Sequence, residues 1–149
     1  MFTLITQLKA GRPVLILLFF LILASCGSSR RTLAVDEGWE LLDERKVDFV
    51  RDKDVIEVHS RNQLTGIQFK VEDRDVRINE VKIFFDNGDK LEPAIDDVIA
   101  TGESSRFIEF GRDGRYVNRI EMKYRTTGSV LKGRAHVLTF GRKYDLTSY

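Results

Sequence analysis

The stretch Gly66-Ile-Gln-Phe-Lys-Val-Glu-Asp alternates apolar and polar residues with period two, placing Ile67, Phe69 and Val71 on one face and Gln68, Lys70 and Glu72 on the other. A strand turns successive side chains to opposite faces, so this pattern fits a half-buried strand and no helix. The same alternation returns in NEVKIFF, with Val81, Ile83 and Phe85 in phase, and in the stretch carrying Ile120, Met122 and Tyr124. AHVLTFGRKY supplies a last strand. Asn87-Gly88 breaks the second run with the dipeptide that favours a two-residue hairpin turn. Asp113-Gly114 marks a second hairpin by the same logic, and Asp52-Lys53-Asp54 reads as a turn joining two short strands in VDFVRDKDVIEVH. EGWELLDERKV fits a helix through Trp39 and Leu42, or a long bent strand through Trp39, Leu41, Val47 and Phe49; the strand is the reading adopted. The expectation is an all-β fold, an antiparallel β-sandwich of about 7–9 short, hairpin-connected strands.

The amino-terminal segment is of another kind. Its charges, Lys9 and Arg12, are both positive, and they precede the apolar run Pro13 to Ala24. A positive region, an apolar stretch of about 7–15 residues and small residues define a secretory signal, whereas a spanning helix needs roughly 20 apolar residues. The run ends in Leu23-Ala24-Ser25-Cys26, and Cys26 is the single cysteine of the chain. That tetrapeptide resembles the lipobox of bacterial lipoproteins. The resemblance implies acylation of the Cys26 thiol and cleavage between Ser25 and Cys26. It also implies anchoring by two or three acyl chains, where one chain binds only marginally. Gly27 stands where an aspartate would resemble an inner-membrane retention signal, which favours the outer membrane. The organisation read here is a signal peptide at 1–25, an acylated cysteine with a flexible tether at 26–37, and one sandwich domain at 38–149.

With Cys26 acylated no thiol is left, so disulfides and cysteine zinc sites are excluded. The chain has 24 Lys and Arg against 23 Asp and Glu. Losing Lys9 and Arg12 with the signal leaves 22 against 23, a net charge of −1 with no long basic block. A nucleic-acid partner would leave a clustered basic footprint, so none is expected.

Three segments, GWELLDERKVDFVRDKDVIEV, VKIFFDNGDKLEP and GRYVNRIEMKYRT, resemble a family of small exported bacterial β-domains of unknown function. The matching positions are Trp39, Asp52 and Asp54, Asn87-Gly88, Arg115, Arg119, Tyr124 and Arg125. The resemblance implies a β-sandwich over roughly residues 38–140 and no particular activity.

The residues offer little catalytic chemistry. His59 and His136 are the only histidines, and both lie in expected strands. No serine sits in a G-x-S-x-G elbow, and no phosphate-cradling glycine motif occurs. Asp48, Asp52 and Asp54 are closely spaced oxygen ligands, but calcium takes six to eight oxygens and no EF-hand loop is present. Nearby Arg51 and Lys53 account for these acids as ion pairs, and no cofactor is expected. Arg112, Arg115, Tyr116 and Arg119 cluster in sequence, and Arg and Tyr are enriched at binding hot spots. They form the candidate binding surface, with cross-strand pairing to Glu109 and Glu121 as the structural alternative. The function expected is a membrane-anchored, non-catalytic binding module for an envelope protein or glycan. The alternatives are a structural accessory subunit of an envelope complex and an enzyme with an unrecognised site.

Overall fold

The computed structural model describes residues 34–47, 52–127 and 134–145. Cys26, Asp48, Phe49 and Arg51 lie outside them, as does the side chain of Asp52. Within the folded unit Val35–Tyr149, the described residues form nine strands and no helix: β1 Trp39–Val47, β2 Asp52–Glu57, β3 Leu64–Glu72, β4 Val76–Phe85, β5 Lys90–Leu91, β6 Asp97–Ile99, β7 Ile108–Glu109, β8 Val117–Thr126 and β9 Ala135–Lys143. They build two antiparallel sheets. The first has the order β1-β9-β3-β7; the second runs β2-β8-β4-β5, with β6 also paired to β4. This is the expected β-sandwich.

The core lies between the sheets where the alternation places it. Ile67, Phe69 and Val71 of β3 face Val81, Ile83 and Phe85 of β4 and Ile120, Met122 and Tyr124 of β8 within one buried cluster. Register shifts change the phase. Between Ile78 and Glu80 the register of β4 on β8 shifts, so Val76 and Ile78 share the buried face with the odd-numbered Val81. In β1 the shift falls between Leu41 and Asp43. An extra residue there turns Leu42 to the core cluster and leaves Trp39 and Leu41 on the outer face, which is why that segment mimicked a helix.

Connectivity departs from the sequence expectation. The hairpin at Asn87-Gly88 forms, with β5 pairing on β4, but as a three-residue loop. Gly88 donates to the Phe85 carbonyl at 3.0 Å and only Gly88 has positive φ, +88°. A two-residue type I′ turn would need positive φ at Asn87 as well. Asp113-Gly114 makes no hairpin, because β7 belongs to the first sheet and β8 to the second. Gly114 answers a space requirement instead: a Cβ there would lie 2.5 Å from the Tyr144 Cβ and 2.8 Å from the Gln63 Cβ. Asp52-Lys53-Asp54 is no turn either, since all three residues open β2 and pair with Tyr124 to Met122. Among the described residues the chain changes sheet at β1–β2, β2–β3, β3–β4, β6–β7, β7–β8 and β8–β9.

The side where β1 and β2 run next to each other is latched by polar side chains. Arg45 pairs with Asp43 at 2.6 Å and donates from Nη2 to the Val55 carbonyl at 3.3 Å. Glu40 accepts from Ser60 at 2.9 Å and from Asn62 at 2.7 Å. Tyr124, 1% exposed, donates its hydroxyl to Asp54. The Val55 carbonyl, engaged in this way, is a poorer template for another strand.

The outer face of the second sheet is a lattice of ion pairs: Lys53–Glu121 at 3.1 Å, Lys123–Glu80 at 2.7 Å, Lys82–Glu80 at 3.1 Å and Arg77–Asp96 at 2.8 Å. Lys123, then Lys82, hold the Glu80 carboxyl below its ordinary range; Lys53 does so for Glu121 and Arg77 for Asp96. Because folding lowers these pKa values, the pairs contribute their full stability above the unfolded carboxylate pKa, about 4. That contribution disappears as pH falls through the lower folded values. Melting temperature is therefore expected to decline gradually below about pH 4, with a smaller decline at high salt, because exposed pairs are screened. Melts across that range at two salt concentrations check this; a decline unaffected by salt would assign acid sensitivity elsewhere.

Candidate binding groove

One end of the sandwich gathers Gly38, Gln63, the Asn87-Gly88 turn, the crossover 111–116 and Tyr144. Chain segment 35–38 also arrives there. Gly38 has φ +82°, and Trp39 donates to the Asp36 carbonyl at 3.0 Å, so the incoming chain turns sharply into β1. Lys143 then donates to the Gly38 carbonyl at 2.8 Å, extending the β1–β9 ladder past the turn.

A groove of about 630 Å³ opens at this corner, on the outer side of the first sheet. Its apolar wall is Trp39 against Phe107, edge to face with ring centroids 5.7 Å apart at 78°. Gly66 makes this possible. A Cβ at that position would lie 2.3 Å from Phe107 Cζ and 2.5 Å from the Ile108 carbonyl oxygen, so the ring occupies the space a side chain would fill. The Arg142 guanidinium lies 5.9 Å from the Phe107 centroid, within the range of cation–π attraction. Around the rim stand Arg112, Arg142 and Lys143 with Glu37, Glu109 and Asp145, three cations and three anions. Gly111, φ +118°, bends the chain that presents Arg112. The volume lies in the usual range for small-ligand sites, about 300–1,000 Å³.

The four residues singled out from sequence do not form one surface. Arg112 is exposed on the groove rim. Arg115 and Tyr116 line a second depression of about 410 Å³ with Gln63, Phe85 and Asn87, on the far side of Gly114 and Tyr144. There Arg115 lies 3.7 Å over the Phe85 ring and pairs with Asp89. Asn87 and Arg115 hold the Asp89 carboxyl below its ordinary range, so this arginine ties the hairpin to the crossover. Tyr116 is 46% exposed. Arg119 sits 3.9 Å over Phe84 and 3.4 Å from Glu121, within the charged lattice of the second sheet.

Trp39, Phe107 and Arg142 escaped the sequence reading as site residues. The available signal was phase: in Phe107-Ile-Glu-Phe, Ile108 and Phe110 pack on the core, so Phe107 is an aromatic on the wrong face. Of the acids weighed as calcium ligands, Asp54 accepts the Tyr124 hydroxyl. Among the described residues no group of three His, Cys, Asp or Glu is placed to hold a metal. His136 Nδ1 lies 3.2 Å from Glu44 Oε1, and His59 is exposed beyond β2.

A family model for a domain of unknown function, DUF2541, matches residues 14–141. No curated protein and no solved structure matches the chain. The family match covers most of the chain, from Val14 to Gly141 in β9, and the chain belongs to the DUF2541 family.

Proposed function

We propose that this protein is an exported lipoprotein, held at an envelope membrane by acylated Cys26, that binds another envelope component without catalysing a reaction. The outer membrane is the favoured location, given Gly27. The observation that carries the binding reading is the groove, where an aromatic wall of Trp39 and Phe107 meets the exposed Arg112 at the end that the tether joins. Support for the anchor is the Leu23-Ala24-Ser25-Cys26 sequence behind its apolar run, together with a family match that begins inside that run at residue 14.

Two measurements test the parts separately. Cys26→Ala is expected to move the protein out of the membrane fraction, and a variant that is processed and stays membrane-bound removes the anchor from the proposal. A photo-crosslinking residue at position 112 is expected to give discrete adducts in intact envelopes that the same residue at position 98 does not. Indistinguishable patterns at the two positions would count against the groove as the binding site. Leu41 and Phe140, half-buried side chains that β-pairing places on the outer face of the first sheet, favour a second reading as an accessory subunit. On that reading adducts concentrate at position 140.

A further inference from the structure

The two outer faces of the sandwich differ in kind. On the second sheet the charged side chains neutralise one another in pairs. On the first sheet the corner where the chain enters instead combines two aromatic rings with a rim of mixed charge, three cations and three anions.

Trp39 follows Cys26 by 13 positions, so the chain can span at most about 45 Å between them. Segment 35–38 enters the fold at the groove, and Glu37 and Gly38 line it. An anchor at Cys26 would therefore tether the fold through this corner. Tryptophan and arginine suit a headgroup layer, each having an apolar body and a polar end.

We infer that the groove docks on the bilayer itself by taking a zwitterionic lipid headgroup, a phosphate joined to an ammonium. The inference rests on the lipid-anchor reading and names the ligand of the proposed site. The rim carries the chemistry for both ends of such a group. Arg112, Arg142 and Lys143 are exposed donors for phosphate oxygens, and charge-assisted contacts of that kind are the stronger class of hydrogen bond. Glu109 and the faces of Trp39 and Phe107 suit the ammonium, which aromatic rings attract through their quadrupole. A wholly basic rim would favour anionic lipid; this rim holds three acids beside its three bases. Docking leaves the charged face of the second sheet in water.

The test uses the protein purified from membranes and reconstituted into phosphatidylcholine–phosphatidylethanolamine vesicles with bromine placed shallowly on the acyl chains. Trp39 is the only tryptophan of the chain, so its emission reports this corner alone. Expected are a blue shift and loss of about half the emission, both largely abolished in Arg112→Glu and in Glu109→Lys. As a control, Trp39→Phe combined with Val98→Trp moves the reporter to an exposed site on β6. Val98 pairs with Arg77, at the other end of β4 from Phe85, about 25 Å away at strand rise. Its emission is expected to stay unquenched. Unquenched Trp39, equal quenching at both reporters, or quenching on phosphatidylglycerol vesicles alone would each overturn the assignment. The mass of the purified chain reports acylation of Cys26 independently. An acylated chain with unquenched Trp39 refutes the docking and spares the anchor, whereas an unacylated chain refutes the anchor.

Discussion

Gly66→Ala is expected to destabilise the domain by about 1–3 kcal/mol, the usual cost of forcing atoms into filled space, and to red-shift the emission of Trp39. Two groups, a ring and a carbonyl, oppose the added methyl. Phe107 Cζ would lie 2.3 Å from it and the Ile108 carbonyl oxygen 2.5 Å. The ring can escape only by leaving its edge-to-face contact with Trp39, which opens the groove wall. The carbonyl belongs to the backbone of β7, whose whole pairing with β3 is Gly66 with Glu109 and Ile67 with Ile108. Denaturant unfolding and the native-state emission spectrum check both halves. A variant with unchanged stability and spectrum would mean that Phe107 does not rest on Gly66.

Phe69→Ala is expected to cost more, about 3–5 kcal/mol, because it removes a large side chain from the centre of the core and leaves a cavity. Phe69 is fully buried. Its backbone N–H donates to Ser105 Oγ at 3.0 Å and its carbonyl accepts from the Ser105 N–H at 2.7 Å, so the backbone is held while the void forms. Total stabilities of small domains are about 5–15 kcal/mol, so a loss of this size brings the variant close to unfolding at ordinary temperature. Phe107→Ala serves as the contrast. It removes a ring of the same size from a half-buried position outside the core cluster, so it should cost much less stability while changing Trp39 emission. Equal losses for the two variants would contradict the division between core and groove drawn from the alternation.

The long strands were legible because each needs one apolar face. Ile67, Phe69 and Val71, and likewise Ile120, Met122 and Tyr124, announce themselves by period two. The two-residue strands β5 and β7 carry too few residues to show any period. Connectivity was obscured for a different reason. Turn chemistry is local, and Asp113-Gly114 satisfies it; the sheet that receives the next strand is decided by packing of residues distant in sequence. Here Tyr144 and Gln63 press on Gly114 from two other segments, a constraint that no window around position 114 contains. The candidate surface failed as a unit on the same point. Arg112 and Arg119 are close in sequence, but the crossover sends one to the rim of the first sheet and the other to the outer face of the second. The groove joins Trp39 to Phe107 across most of the domain, through a glycine whose significance lies in what rests on it.

The pairing of β1 with β9 has a consequence in time. The first strand of the described fold finds its only sheet partner in the last, and β9 also separates β1 from β3. Synthesis delivers β9 after every other described strand, so the first sheet cannot close until β9 has been made. Folds dominated by such distant pairings form slowly, and until β9 arrives β1 lacks its sheet partner. For a protein proposed to leave the cytoplasm, the amino-terminal segment emerges long before the first sheet can close behind it. The order of strands would keep the first sheet open until the last of them is made.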